Sequence, residues 1–364
     1  IRDVERSRGL GDVYKRQNLY KTKNKEYTVI RKKQCECYER GGYCMSDEKS
    51  LKYNEPWILQ RADPYVYRHT DGSYYFTASV PAYDGIVLRR AGSLAELSGA
   101  EEVMVWKKHE SGPMSYHIWA PEIHYLFGKW YIYFAGGEAE DIWKIRPYVL
   151  ECSGDDPLTD EWVELGKMKR AAEDEFSFEA FSLDATVFEN KGEYYYVWAE
   201  KVGVGKMISN LYIAKMESGN QLKTVQVLLT TPDYDWERKG FWVNEGPAVI
   251  HHDGKMFLTY SASETGVDYC VGMLSIDEDA DILDPRLWKK ERYPVLKTCE
   301  KLGIYGPGHN SFTVDEDGND VMVYHARTEA EINGDPLYNP NRHAMLMKVK
   351  WDEAGRPVFS YENK

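Results

Sequence analysis

Five copies of one phrase, about sixty residues apart, constrain this chain more than anything else in it. Each copy opens on a small or polar residue, runs through a short apolar stretch, turns at a Gly and continues into an aromatic-rich segment. The openers are Asp63, Ala120, Asp184, Glu245 and His309, at intervals of 57, 64, 61 and 64 residues. A period of this length belongs to radial or stacked arrays, in which each copy is one supersecondary unit. Three of the five openers carry a carboxyl group. If the copies close into a ring, those acids converge on its axis.

The turn of each copy carries its Gly at 72, 128, 192, 254 or 318, where a hairpin needs positive φ. The strand after it alternates aromatic and smaller residues, as in Tyr74-Tyr-Phe-Thr-Ala and Trp130-Tyr-Ile-Tyr-Phe. A third strand is expected at 86–89, 148–151, 211–214, 270–274 and 345–348. A fourth is expected near Trp106, Trp162, Val227, Trp288 and Val358. No long helical periodicity appears. Sixty residues of four-stranded antiparallel β per copy read as an all-β, five-bladed β-propeller. A β-solenoid is the alternative, but its rungs are usually much shorter. The linkers 107–118 and 168–181 are long enough to form loops over one face.

Composition narrows the partners. The formal charge is −13, which argues against nucleic acid or an anionic membrane. No apolar stretch approaches the ~20 residues that span a bilayer. The 28 Tyr and 11 Trp suit cross-strand packing, and some could line a sugar pocket, since aromatic faces pack against sugar C–H groups.

Residues 1–44 differ from the rest: basic, aperiodic and holding half of the six Cys. They read as a non-native or disordered leader, with Met45 as the native start and 45–364 as one propeller domain. Without the leader's 12 Lys and Arg and 6 Asp and Glu, the net charge goes from −13 to −19. Cys152, Cys270 and Cys299 would then remain, an odd number suited to reduced thiols. With no apolar leader in view, the expected location is cytoplasmic.

In a propeller the innermost strand of each blade lines the channel, so the five openers would form a ring. Several like charges held together cost stability and raise pKa values, which points to a use. Two carboxyls with pKa values driven apart are what glycoside hydrolysis needs. A ring that merely holds a cation, or a non-catalytic sugar-binding propeller, fits the same residues.

Arg61-Ala-Asp63-Pro, Trp119-Ala-Pro-Glu122, Ser182-Leu-Asp184-Ala-Thr, Asn244-Glu245-Gly-Pro and Gly306-Pro-Gly-His309-Asn together resemble family 43 of the glycoside hydrolases, over roughly residues 55–355. The resemblance implies a five-bladed propeller and an inverting mechanism on arabinofuranosides or xylosides. Carried over by motif, Asp63 is the general base, Glu245 the general acid and Asp184 the group that orients the acid and tunes its pKa. His309 matches an axial histidine near a cation or water. No cofactor is required, although a structural Ca2+ or other cation near His309 is an accessory possibility. Trp119 looks like a pocket wall, and Arg327 like the arginine that reaches the sugar. Glu122 is expected on the same side as Ala120, nearer the rim, and Ala120 itself leaves room for the sugar ring.

The motif set is most similar to the exo-acting α-L-arabinofuranosidase branch. The Pro- and Asn-rich loop 328–343 could wall off one end of the cleft, so that terminal arabinose is released from arabino-oligosaccharides. A β-xylosidase or an endo-arabinanase on the same scaffold is the alternative, and oligomeric state is left open.

Overall fold

The computed structural model describes residues 51–361, and the leader expected over 1–44 lies outside the described residues. Among the described residues the chain is almost wholly β. The helical pieces among the described residues are one four-residue helix, Leu94–Leu97, and two single 3-10 turns. No described helix is long and apolar enough to cross a membrane.

The expected strands form where the alternation placed them. The first sheet runs Ala62–Arg68, Tyr74–Ser79, Gly85–Ala91, Val103–Lys107. The second runs Tyr116–Leu126, Lys129–Glu138, Asp141–Cys152, Val163–Lys167. Units three and four are fused into a nine-stranded sheet. Lys206–Ser218 of unit three pairs in parallel with Trp242–His252 of unit four, at Ile208 with Trp242 and Ser209 with Val243. The last sheet combines Tyr305–Val314, Asp320–Arg327 and His343–Trp351 with a strand the repeat did not foretell, Pro56–Ile58, drawn from the front of the domain.

Turn chemistry explains the hairpins. Phe127-Gly128, Lys191-Gly192 and Asp253-Gly254 each have positive φ at both residues, the backbone of a two-residue type I′ turn. The loops at Gly72 and Gly318 are longer, and in each only the Gly takes positive φ.

Apolar clusters lie between neighbouring units. Ile86 and Leu88 pack with Trp130 and Ile132, and Tyr133 and Val149 with Tyr196 and Trp198. Ile213 and Val197 then meet Leu258 and Tyr260, and Phe257 and Val271 meet Met322 and Tyr324. A fifth cluster joins Val321, Val323 and Leu346 of the last unit to Val66 and Phe76 of the first. Most of the aromatics are therefore packing residues, each contributing roughly 1.5–3 kcal/mol when fully buried. The first strands follow the same circuit, each touching the next and the fifth touching the first.

Candidate active site

Every first strand carries an extra residue against its partner at one shared point, and Tyr116–Leu126 and Tyr305–Val314 carry a second just before it. Register slips between Ala62 and Tyr65, Trp119 and Glu122, Leu183 and Thr186, Glu245 and Ala248, and Gly308 and Ser311. Each slip sets three steps on the first strand against two on the second, which is a β-bulge. The residue two places before the realigned position adopts left-handed backbone: Asp63 at φ 53°, Ala120 at 47°, Asp184 at 51°, Gly246 at 54° and His309 at 41°. The bulge turns these residues inward, toward one another.

This alignment corrects one expectation. Glu245 does not share the position of Asp63 and Asp184; Gly246 does, and Glu245 stands one residue earlier. At Gly246 a side chain is excluded twice over, by the left-handed φ and by the His309 ring, whose Cγ would lie 3.0 Å from an added Cβ. The acid of unit four is thus carried by the preceding residue, with a longer side chain. Asp63 and Asp184 are buried, whereas Glu245 is only half-buried and reaches solvent.

Asp63 is the most heavily partnered of the three. Its Oδ2 accepts from the Ser79 hydroxyl at 2.6 Å, while Oδ1 lies 3.3 Å from His309 Nδ1 and 3.5 Å from an Nη1 of Arg342. Burial alone would raise its pKa, but His309 and then Arg342 outweigh burial and hold the carboxyl well below the usual range. The backbone N–H of Asp63 donates to His325 Nδ1 at 3.0 Å. Burial presses the His325 pKa down to about 4, so this ring is neutral and free to accept there. Arg342 is anchored in turn by donating to the Tyr83 hydroxyl at 2.7 Å, which donates to the Leu337 carbonyl at 2.6 Å.

The other two acids are driven the opposite way. Burial, then Glu245 and Asp63, raise the Asp184 pKa well above the ordinary carboxylate value. His309 Nδ1 lies 3.6 Å from Asp184 Oδ2, so one imidazole bridges both aspartates. Glu245 is raised chiefly by burial, against the pull of Tyr269, whose hydroxyl donates to Oε1 at 2.8 Å. Lys201 lies close enough to act on Glu245, with its Nζ 3.7 Å from the centre of the Phe181 ring. Burial lowers the Lys201 pKa in return.

The remaining expected residues divide. Ala120 sits in the ring of bulges, its N–H donating to Ser79 Oγ at 2.8 Å. Trp119 lies at the centre of an aromatic group, stacked on His117 at 4.4 Å, edge-on to Tyr83 at 5.8 Å and close to the half-exposed Trp143. Glu122 is not near the rim. It is buried and bonded to His124 Nε2 at 2.9 Å, because two steps past the bulge the strand has entered the core. Arg327 is buried, with Nη1 on Asn339 Oδ1 at 2.6 Å and Nη2 on the Pro336 carbonyl at 2.8 Å, so it braces the loop 328–343. His309 Nδ1 faces the two aspartates, and among the described residues no three His, Cys, Asp or Glu side chains are grouped to hold a metal ion.

Sequence reasoning missed Ser79, Tyr83, Tyr269, His325 and Arg342. One signal was available. Ser79, Ser261 and His325 are the register partners of Ala62, Glu245 and Gly308, one repeat position on the second strand. Aligning the second strands as well as the openers would have found them.

Converging carboxyls with pKa values driven apart, on an all-β scaffold, define a site for acid–base chemistry. The chain belongs to glycosyl hydrolases family 43, whose family model matches residues 53–357. It is 49% identical over 311 residues to an extracellular exo-α-(1→5)-L-arabinofuranosidase of Streptomyces avermitilis, covering 85% of this chain and 63% of that protein. An enzyme of the same name from Streptomyces chartreusis is 49% identical over 296 residues, covering 81% of this chain and 88% of the relative. The crystal structure of an α-L-arabinofuranosidase from Lactobacillus brevis matches with a TM-score of 0.78 at 50% identity, covering 85% of this chain and 98% of that one. The chain thus spans less than two thirds of the S. avermitilis protein but nearly all of the Lactobacillus one. Both Streptomyces relatives are extracellular, which overturns the cytoplasmic expectation. That expectation rested on the missing apolar leader, and the first residues of a sequence carry no information about what precedes them.

Proposed function

We propose that this chain is an inverting exo-α-L-arabinofuranosidase, built as a five-bladed propeller and acting outside the cell on arabinose-containing oligosaccharides. One observation carries the reading: of three converging carboxyls, Asp63 is held ionised while Asp184 and Glu245 are pushed toward their protonated forms. The closed circuit of five first strands and five apolar clusters supports the propeller. The names of the relatives support the substrate.

In this mechanism Asp63 takes a proton from a water that attacks the anomeric carbon on the face opposite the glycosidic bond. Glu245 gives its proton to the departing oxygen. Asp63 ends protonated and Glu245 ionised, and exchange with solvent restores both. Inversion requires the two carboxyls ~6.5–9.5 Å apart, with the water between one of them and the sugar. Burial and the negative charge on Asp63 keep Glu245 protonated, while Asp184, itself pushed toward its protonated form by burial and Glu245, is bridged to Asp63 by His309.

The exo character rests on the loop 328–343. It is tied down by Arg327, by the Tyr83 hydroxyl on the Leu337 carbonyl, and by the Tyr338 hydroxyl 3.0 Å from His117 Nε2. A loop fixed beside Trp119 on three sides closes one end of the cleft. Arabinobiose and longer α-1,5-arabino-oligosaccharides should release arabinose alone. Asp63→Ala and Glu245→Ala should each lose roughly 10²–10⁴-fold in rate on them. Full activity in either variant sinks the catalytic assignment, and internal cleavage of linear arabinan sinks the exo reading.

A further inference from the structure

Ser79 and Ser261 occupy one repeat position, opposite the residue just before the bulge in units one and four. In both, the hydroxyl oxygen accepts the backbone N–H of the left-handed residue in the following unit: Ala120 to Ser79 at 2.8 Å, His309 to Ser261 at 2.6 Å. A hydroxyl that accepts from a fixed N–H has its own proton aimed elsewhere. From Ser79 that proton goes straight to Asp63 Oδ2 at 2.6 Å. A Cβ at Gly308 would lie 2.9 Å from Ser261 Oγ and 2.3 Å from Tyr269 Cε1, so the two side chains are neighbours, and Tyr269 donates to Glu245 Oε1 at 2.8 Å. Both serines are buried, at 2% and 0% exposure, so water does not compete for these bonds.

We propose that this serine pair forms two separate positioning arms, Ser79 setting the orientation of the base Asp63 directly and Ser261 setting that of the acid Glu245 through Tyr269. The repeat thus supplies the same hydroxyl to both halves of the reaction. Units two and three hold Ala135 and Ala199 at this position and supply no such arm. The inference rests on the acid and base roles given above to Glu245 and Asp63.

The two arms separate by leaving group. A dinitrophenyl arabinofuranoside departs without protonation, whereas an arabino-oligosaccharide needs the general acid; both need the base. Loss of a charge-assisted hydrogen bond corresponds to roughly 10–100-fold in rate. Ser79→Ala should therefore lose kcat by roughly that factor on both substrates. Ser261→Ala should lose it on the oligosaccharide and stay within about threefold of the parent on the dinitrophenyl substrate. Ser79→Thr and Ser261→Thr, which keep the hydroxyl, should recover most of the lost rate. Ser79→Cys and Ser261→Cys keep the shape and weaken the donor, and they serve should either alanine variant be recovered unfolded.

Equal losses on both substrates for Ser261→Ala, or alanine variants that match the parent, overturn the proposal. Glu245→Ala run beside them separates the two levels. If it loses no more on the oligosaccharide than on the dinitrophenyl substrate, the assignment of the acid is at fault. If it shows the split and Ser261→Ala does not, only the positioning arm is wrong.

Discussion

Replacing Arg342 by Met should move the acidic limb of the pH profile into view. Arg342 and Asp63 are both buried, with Nη1 3.5 Å from Oδ1. Two unit charges at that distance interact by about 5 kcal/mol at an effective dielectric of about 20. Burying the guanidinium offsets part of this, which leaves about 2–3 kcal/mol, or roughly two pH units on Asp63. The base works only when ionised, so activity falls as pH drops through its pKa. Raising that pKa shifts the acidic limb upward. The assay is kcat/KM on p-nitrophenyl α-L-arabinofuranoside in short exposures from about pH 2 to 8, alongside melting curves. Stability follows the same sign. An Asp held below its unfolded value of ~3.9 stabilises the fold above that pH, and loses the contribution as pH falls through its folded value. The variant should melt well below the parent from about pH 7 down to about pH 3.5, with the gap narrowing only below that, where the variant's Asp63 takes up its proton. An unmoved limb, with equal loss of activity at pH 2.5 and 7, would refute the idea that Arg342 keeps Asp63 ionised.

Other perturbations probe the same geometry. Tyr269→Phe removes the donor that holds the Glu245 pKa down, so the alkaline limb should move upward by up to about one pH unit; a downward move contradicts the assignment of the acid. Gly246→Ala forces a Cβ into left-handed backbone against the His309 ring, and it should cost roughly 1–3 kcal/mol by chemical denaturation. A neutral result there would mean the bulge is not built as described. Arg327→Ala frees Asn339 and the Pro336 carbonyl, so the loop 328–343 should loosen and KM for arabinobiose should rise by roughly tenfold. Products longer than arabinose should then appear from linear arabinan, and arabinose alone would argue against the loop as the wall.

The fold was readable because turn and strand chemistry repeat with the same period. Gly128, Gly192 and Gly254 each follow a residue that also takes positive φ, and aromatic alternation flanks them all. What escaped was Pro56–Ile58 pairing with His343–Trp351, since one short strand at the front of the domain carries no period of its own. At the site, Asp63 and Asp184 were legible as openers of the repeat, and the structure places both at the bulge. Glu245 was assigned to the same position because the comparison matched carboxyls, whereas the backbone matches left-handed residues and selects Gly246. Arg342 lies 279 positions from Asp63, just before the last long strand, and no local pattern connects them. Glu122 shows the opposite error: parity counted from Ala120 does not carry across the bulge and does not say how deep along the strand a residue lies.

The stereochemistry of the first product tests the central claim most directly. Proton NMR during the first moments of hydrolysis of an α-L-arabinofuranoside, before the anomers equilibrate, reports which face the water attacked. Asp63 acting as base, with Glu245 as acid, predicts β-L-arabinose as the initial product. Arabinose released first in the α configuration would mean that a carboxylate attacks the sugar itself, and the division of labour among these three acids would be wrong.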